Sequence, residues 1–263
     1  MVELQAVGKT FHPGTINQVI ALRPVNLRVA EGDFITVIGS NGAGKSTLFN
    51  LIAGTYRPST GRIVLDGQDV TERSEYRRAA AIGRIFQNPL LGTAGNMTLE
   101  DNMTICHRKG FKGLRVSLNR ELRARFRERL SDLDMGLEHR LKDNVRLFSG
   151  GQRQALTLLM TVLSNPALIL LDEHTAALDP KNAASVLRLT HKYVQEYRLT
   201  AMMITHNMQH AIDYGNRLLM MDAGEIILDV AGEEKQRLTV DELVERFHRI
   251  RQHDLESDEA RLV

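Results

Sequence analysis

Cysteine is nearly missing from this chain: Cys106 is the single one in 263 residues. That excludes an internal disulfide framework and fits a reducing compartment, with Cys106 expected to act as a small buried hydrophobe. Long apolar runs are missing too. Stretches such as Ala167–Leu171 are far too short to cross a bilayer. The start, Met1-Val2-Glu3-Leu4-Gln5, lacks the basic segment and apolar core of a secretory signal. A strong charge of one sign is absent, since the formal balance is +2, and any nucleic-acid partner would need local clustering of charge. Repeats, low-complexity tracts and linkers long enough to separate independent domains are also lacking. What is present is core-forming material: 43% of residues are hydrophobic, enough for one domain or a main domain carrying a subdomain. A soluble, cytosolic protein is expected.

The first stretch with chemistry in it is Gly39-Ser40-Asn41-Gly42-Ala43-Gly44-Lys45-Ser46-Thr47, which fits the G-x-x-x-x-G-K-[ST] pattern of a phosphate-binding loop. It follows the apolar run Phe34–Ile38 and leads into Thr47–Ala53, so a buried strand turns sharply into a helix. Its glycines allow successive N–H groups to curl round phosphate oxygens while the helix aims its positive end at them. Lys45 would neutralise the outer phosphates and the Ser46 hydroxyl would hold Mg²⁺.

Strands are expected at Val2–Val7, Val19–Leu22, Val25–Ala30, Arg62–Leu65 and Ile82–Phe86, with Phe11 in a loop-like setting where it could stack an adenine or pack into the core. From Met97 to about Ser164 the pattern turns helical, with Leu122, Phe126, Leu130 and Leu133 on one face. This block lies between strand regions and reads as an inserted subdomain. It carries a basic run, Arg108, Lys109, Lys112, Arg115, Arg120, Arg123, Arg125, Arg127 and Arg129, against only Glu121 and Glu128. Nucleic acid or an anionic membrane would suit such a run, but no aromatics interleave, and a solvated helix face is the better reading. Later come buried strands at Ala167–Leu171 and Thr200–Ile204, a helix capped by Asp179-Pro180, a hairpin about Asp222-Ala223-Gly224, and a last helix with Leu243, Phe247 and Ile250 before the polar tail at 256–259.

Two further segments carry chemistry. Asp172 and Glu173 end the Ala167–Leu171 strand, where a parallel sheet places its ligand-facing residues. Asp172 can bind Mg²⁺ through water and Glu173 can polarise a water attacking a terminal phosphate. In Phe148-Ser149-Gly150-Gly151-Gln152 the Ser and Gln have capping-box spacing, and the glycines leave N–H groups exposed at a second positive helix end. One nucleotide should not need two such cradles from a single face.

The order of the 39–46 loop, Gln87 at a strand end, Ser149-Gly150-Gly151-Gln152, Asp172-Glu173, and His206 after a strand resembles the ATP-binding cassette (ABC) ATPases over nearly the whole chain. The resemblance implies an α/β fold: a phosphate-loop NTPase (RecA-like) core with an antiparallel β subdomain and an inserted α-helical subdomain at approximately 97–164. A C-terminal helix and tail would cover approximately 240–263 of the single 1–263 nucleotide-binding domain. It also implies a head-to-tail dimer in which the loop of one copy and the Ser149 signature of the other sandwich each ATP. Phe11 would then stack adenine, Gln87 would contact Mg²⁺ and the attacking water, Glu173 would be the general base, His206 would touch the γ-phosphate, and the Ala177-Leu178-Asp179 segment would sense the twin. Phe148 stands where the family usually has Leu, and His174 where it commonly has proline.

The segment 172–180 and the stretch Gly92–Met97 are similar to a bacterial subfamily that energises importers with branched-chain-amino-acid-like permeases, often labelled as tryptophan or tyrosine transporters. That implies a groove lined by Leu90, Leu91, Met97 and Ile105 for a permease helix, a place at the cytoplasmic face of the inner membrane, and an extracytoplasmic substrate-binding protein, with no nucleic acid as partner. The rival, a soluble ABC ATPase of translation or DNA repair, usually has two cassettes or long coiled coils, and neither pattern is present. A phosphate-loop kinase or GTPase leaves the Ser149 segment unexplained, and the Asn-Lys-x-Asp guanine motif is missing.

Overall fold

The computed structural model describes residues 1–107 and 118–259. The chain divides into two compact units: Met1–Glu72 together with the chain from Met202 onward, and Arg73–Ala201. The first unit begins with β1 (Val2–Phe11), β2 (Val19–Val29), β3 (Phe34–Gly39), α1 (Lys45–Ala53), β4 (Thr60–Leu65) and the short β5 (Gln68–Asp69). The second holds α2 (Glu75–Arg78), β6 (Ile82–Ile85), α3 (Leu99–His107), α4 (Arg120–Ser131), α5 (Gly150–Leu163), β7 (Leu168–Asp172) and α6 (Pro180–Glu196). The first unit resumes with β8 (Ala201–Ile204), α7 (Met208–Asp213), β9 (Arg217–Asp222), β10 (Glu225–Ala231), α8 (Gly232–Arg237) and α9 (Val240–Glu259).

In the first unit an antiparallel sheet has the order β2-β1-β4-β5. β2 runs unbroken through Pro24, where two strands were expected. It is an edge strand, so the missing proline N–H costs no ladder bond, and register shifts in β1 between Leu4 and Thr10 take up the irregularity. A second sheet in this unit has the order β10-β9-β3-β8, with β3 and β9 parallel, Val37 opposite Leu219. Phe34, Ile35, Val37 and Ile38 are all buried, as a parallel strand covered on both faces requires. The β9–β10 hairpin turns at Ala223 (φ 46°) and Gly224 (φ 82°), both left-handed, which matches the twist of the paired strands. The helices α7 and α9 pack on this sheet through Ala211, Leu243 and Phe247 against Leu218, Met220 and Val230.

One buried charge in this unit has no counterpart in the sequence reading. Lys235 on α8 is 2% exposed, and its Nζ donates to the carbonyls of Ile212 and Tyr214 (both 2.7 Å) and Gly215 (3.0 Å). It satisfies acceptors that the end of α7 leaves open. Burial lowers its pKa from 10.5 to about 8.

In the second unit β6 and β7 are parallel, Ile82 opposite Leu168 and Ile85 opposite Leu171. The α4 face is as expected, with Leu122, Phe126, Leu130 and the following Leu133 all buried. Asn119 caps α4 through Leu122 N–H at 2.8 Å. The basic run is more compensated than its local sequence suggests. Arg123 forms a two-pronged pair with Glu100 of α3 (2.8 and 3.2 Å), Arg125 pairs with Glu121, and Arg129 donates to the Tyr197 hydroxyl. Arg108, Lys109, Lys112 and Arg115 lie outside the described residues, as does the Ile250 side chain. Cys106 is half-buried on α3, not sealed into the core. Helix α9 continues to Glu259, through the stretch expected as a polar tail. Among the described residues no helix is long and apolar enough to cross a membrane.

Candidate active site

The first unit presents the 39–47 loop as the turn from β3 into α1. Gly39 has φ 148°, and a Cβ there would sit 2.1 Å from the Met221 carbonyl oxygen, so only glycine lets the loop leave the sheet this close to β9. Gly44, left-handed, is the residue before α1, which begins at Lys45. The loop is fastened on both sides: Ser40 Oγ donates to Asp222 Oδ1 at 2.7 Å, and Gly224 N–H donates to the Ala43 carbonyl at 3.2 Å. Lys45 is 5% exposed and its Nζ donates to the carbonyls of Gly39 and Ser40, both at 2.9 Å. The ammonium thus lies across the loop, the placement a cation needs to meet anionic oxygens held by the loop N–H groups. Asn41 and Gly42 are exposed at the tip, Ala43 is buried, and Ser46 is exposed with Thr47 half-buried behind it.

His206 follows β8 and is exposed, so it is not a core histidine. It borders a cavity of about 160 Å³ with Gly39, Ser40, Thr205, Met208 and Phe247, which brings it to the phosphate loop. Phe11 belongs to the same unit. It ends β1 opposite Val19, on a strand and not in the expected loop. Its half-buried ring meets Tyr56 edge-on at 5.3 Å, with Lys9 Nζ 5.1 Å from the ring centre. The strand extends because the pairing with β2 continues as far as that residue.

The second unit carries the remaining candidates. Ser149 caps α5 with a reciprocal box: Gln152 N–H donates to Ser149 Oγ at 3.2 Å and Ser149 N–H to Gln152 Oε1 at 3.1 Å. Ser149 and Gly150 are exposed, so this positive helix end faces outward, while Phe148 is 4% exposed with Arg140 over its ring at 4.5 Å. Gly151 is needed for packing: a Cβ there would lie 2.6 Å from Asn182 Cγ. Asn182 is held in turn by Asp179, which accepts from its backbone N–H at 3.1 Å and its amide at 2.6 Å. Those bonds hold the Asp179 carboxyl below its ordinary 3.8. Asn182 thereby joins the signature to the Asp179 segment, a link that the sequence reading missed. Gln154, 1% exposed, ties α5 to the chain just before the exposed Gln87 by donating to the Phe86 carbonyl at 3.0 Å.

Asp172 closes β7 and pairs with Arg84 of β6 at 3.2 Å, both half-buried. Arg84 was not singled out from sequence; lying two residues from Ile82 on a short strand, it reads as an ordinary edge charge until the parallel register is known. Glu173 follows with φ 47°, a left-handed backbone uncommon outside glycine and asparagine. Its carbonyl accepts from Ala176 N–H at 2.9 Å, which closes a tight turn. Next, His174 is 1% exposed and its Nε2 lies 3.1 Å from Thr190 Oγ1. Burial pushes its pKa down from 6.5 to about 4, so the ring is neutral at pH 7.

A loop-cradled lysine, a strand-end acidic pair and a second outward-facing helix terminus define a phosphate-loop nucleotide-hydrolysing fold. Among such proteins, this chain belongs to the ABC transporter family, whose model matches residues 22–176. It is an ATP-binding and ATP-hydrolysing subunit of that family. It is 40% identical over 255 residues to the tyrosine transport ATP-binding protein of Clostridioides difficile, covering 94% of this chain and 98% of that one. It is 35% identical over 233 residues to the methionine import ATP-binding protein MetN 1 of Pseudomonas putida, covering 86% of this chain and 66% of that one. Among solved structures, the dimeric post-hydrolysis state of the ATP-binding cassette MJ0796 bound to ADP and Pi superimposes with a TM-score of 0.72 at 28% identity, covering 88% and 98% of the two chains.

Proposed function

We propose that this chain powers a bacterial importer of amino acids or similar small solutes, working as a pair of copies at the cytoplasmic face of a polytopic permease. The observation that carries the reading is the outward-facing Ser149–Gln152 helix end, already built and capped in a chain that has its own phosphate loop. Two such cradles in one chain make sense when each ATP is shared between two copies. The name of the Clostridioides difficile relative supports an amino acid as cargo.

The roles divide by chemistry. Phe11 offers its ring to the adenine, the N–H groups of residues 39–47 and the Lys45 ammonium neutralise the phosphates, and His206 contacts the terminal one. Glu173 takes a proton from water as the water oxygen bonds to the terminal phosphorus. The bond from that phosphorus to the bridging oxygen breaks, leaving ADP and inorganic phosphate. Ser46, Gln87 and Asp172 offer hydroxyl, amide and carboxylate oxygens, a donor set that suits Mg²⁺. When bound, that ion neutralises charge on the phosphates. Ser149–Gln152 of the second copy covers the same ATP, and the Asp179 segment meets the twin.

For the permease contact, Leu90, Leu91, Met97 and Ile105 are exposed apolar residues of the second unit, and Leu147 joins them at 63% exposure. An exposed apolar set of this kind suits a short amphipathic helix of the permease. Import would further require an extracytoplasmic substrate-binding protein. Purifying the tagged chain from detergent-solubilised membranes tests the reading: a polytopic permease should come with it. Recovery of RNA or DNA with no permease would overturn it in favour of a soluble ABC ATPase.

A further inference from the structure

His174 is a departure from the family pattern that changes the chemistry of a buried position, a titratable ring inside the core. It directly follows Glu173, yet it is 1% exposed, and so is its partner Thr190 on α6. The direction of the bond between them is settled by Thr190, whose Oγ1 donates its proton to the Val186 carbonyl at 2.8 Å. Thr190 Oγ1 therefore accepts from the Nε2–H of His174 at 3.1 Å. A helix hydroxyl bonded back to its own fourth-previous carbonyl is otherwise a local matter. Here its remaining acceptor site reaches across to a turn sixteen residues earlier in the chain.

That turn is the one that carries Glu173. Its backbone at φ 47° costs free energy for a side-chain-bearing residue, so something must hold it. The turn is closed locally by Ala176 N–H to the Glu173 carbonyl, and it is anchored at a distance by the ring of His174 wedged against α6. We propose that His174, through Thr190, is a positioning residue for Glu173: it fixes the turn from which the carboxylate reaches the attacking water. This rests on the assignment of Glu173 as general base. A proline at this position would restrict the backbone covalently; histidine does the equivalent work by burial and one directed hydrogen bond.

The test uses the full chain in its transporter complex, with ATP turnover, ATP affinity and thermal unfolding measured for Thr190→Val, Thr190→Ser, His174→Phe and Glu173→Gln. Thr190→Val keeps the volume and removes the acceptor, and Thr190→Ser keeps it. Loss of the bond should lower kcat by about tenfold, the worth of roughly 1.4 kcal/mol of misplacement, with KM for ATP within twofold. Thr190→Ser should restore near-normal kcat. Combined with Glu173→Gln, Thr190→Val should cost nothing further, because the carboxylate it positions is already gone. A kcat within twofold of wild type in both Thr190→Val and His174→Phe overturns the proposal, as does an undiminished extra loss in the Glu173→Gln background. Near-normal turnover of Glu173→Gln alone would instead remove the general-base assignment, and the positioning role with it.

Discussion

Asp172 ends β7 and Glu173 follows it, and their different surroundings fit the separate tasks proposed for them. Asp172 faces a guanidinium at 3.2 Å, which fixes its carboxylate as a charge-bearing oxygen donor. Glu173 sits one residue beyond the strand in a left-handed turn. Replacing Glu173 by Gln should leave ATP binding intact and slow turnover by about 10²–10⁴-fold, the usual worth of a positioned general base; steady-state phosphate release beside nucleotide titration measures both. The places of the two carboxylates at a strand end and of the lysine at the start of a helix were legible in the sequence because the apolar runs beside them mark those elements. Arg84 was not, since its partnership depends on a strand register that spacing cannot supply. His174 read only as a departure from pattern, because the hydroxyl that receives its proton lies a helix away.

At the scale of elements, the motifs double as packing devices. Gly151 lets α5 and α6 approach until Asn182 fills the space a side chain would need. Gly151→Ala should therefore destabilise the fold by about 1–3 kcal/mol through overpacking, and Asn182→Ala in the same chain should recover part of it; chemical denaturation of the three variants decides the matter. Capping carboxylates contribute to acid sensitivity. Hydrogen bonds from the Asn182 backbone and side chain hold Asp179 below 3.8, and those from Thr239 hold Glu242 below 4.5. A carboxyl depressed in the fold contributes stability that is complete above its unfolded pKa and lost as pH falls through the folded one. Melting temperature should thus fall as pH drops below the ordinary values of 4.5 and 3.8, and Glu242→Ala should flatten that fall. Helices and caps were readable since their signals are local: Ser149 with Gln152 and Asp179 with Pro180. The continuous β2 and the strand position of Phe11 were not, because an edge strand tolerates a proline that local rules treat as a break. Nor was the burial of Lys235, whose three carbonyl partners belong to the end of α7 and the turn after it, 20 to 23 residues upstream.

For the whole molecule, the sequence pattern showed a nucleotide fold with an interrupted core, because motif order and alternating strand and helix signals survive in one dimension. The partner of the Ser149 helix end did not follow from spacing; it entered through the family resemblance, and the capped, outward-facing terminus supports it. The proposed function requires each ATP to be held between two copies. Light scattering on the Glu173→Gln protein, with and without saturating ATP and Mg²⁺, tests it most directly. ATP should convert a 29.6 kDa monomer to a species of about twice that mass, and Ser149→Arg should abolish the conversion while ATP still binds. A protein that stays monomeric with its nucleotide site filled would contradict the shared site.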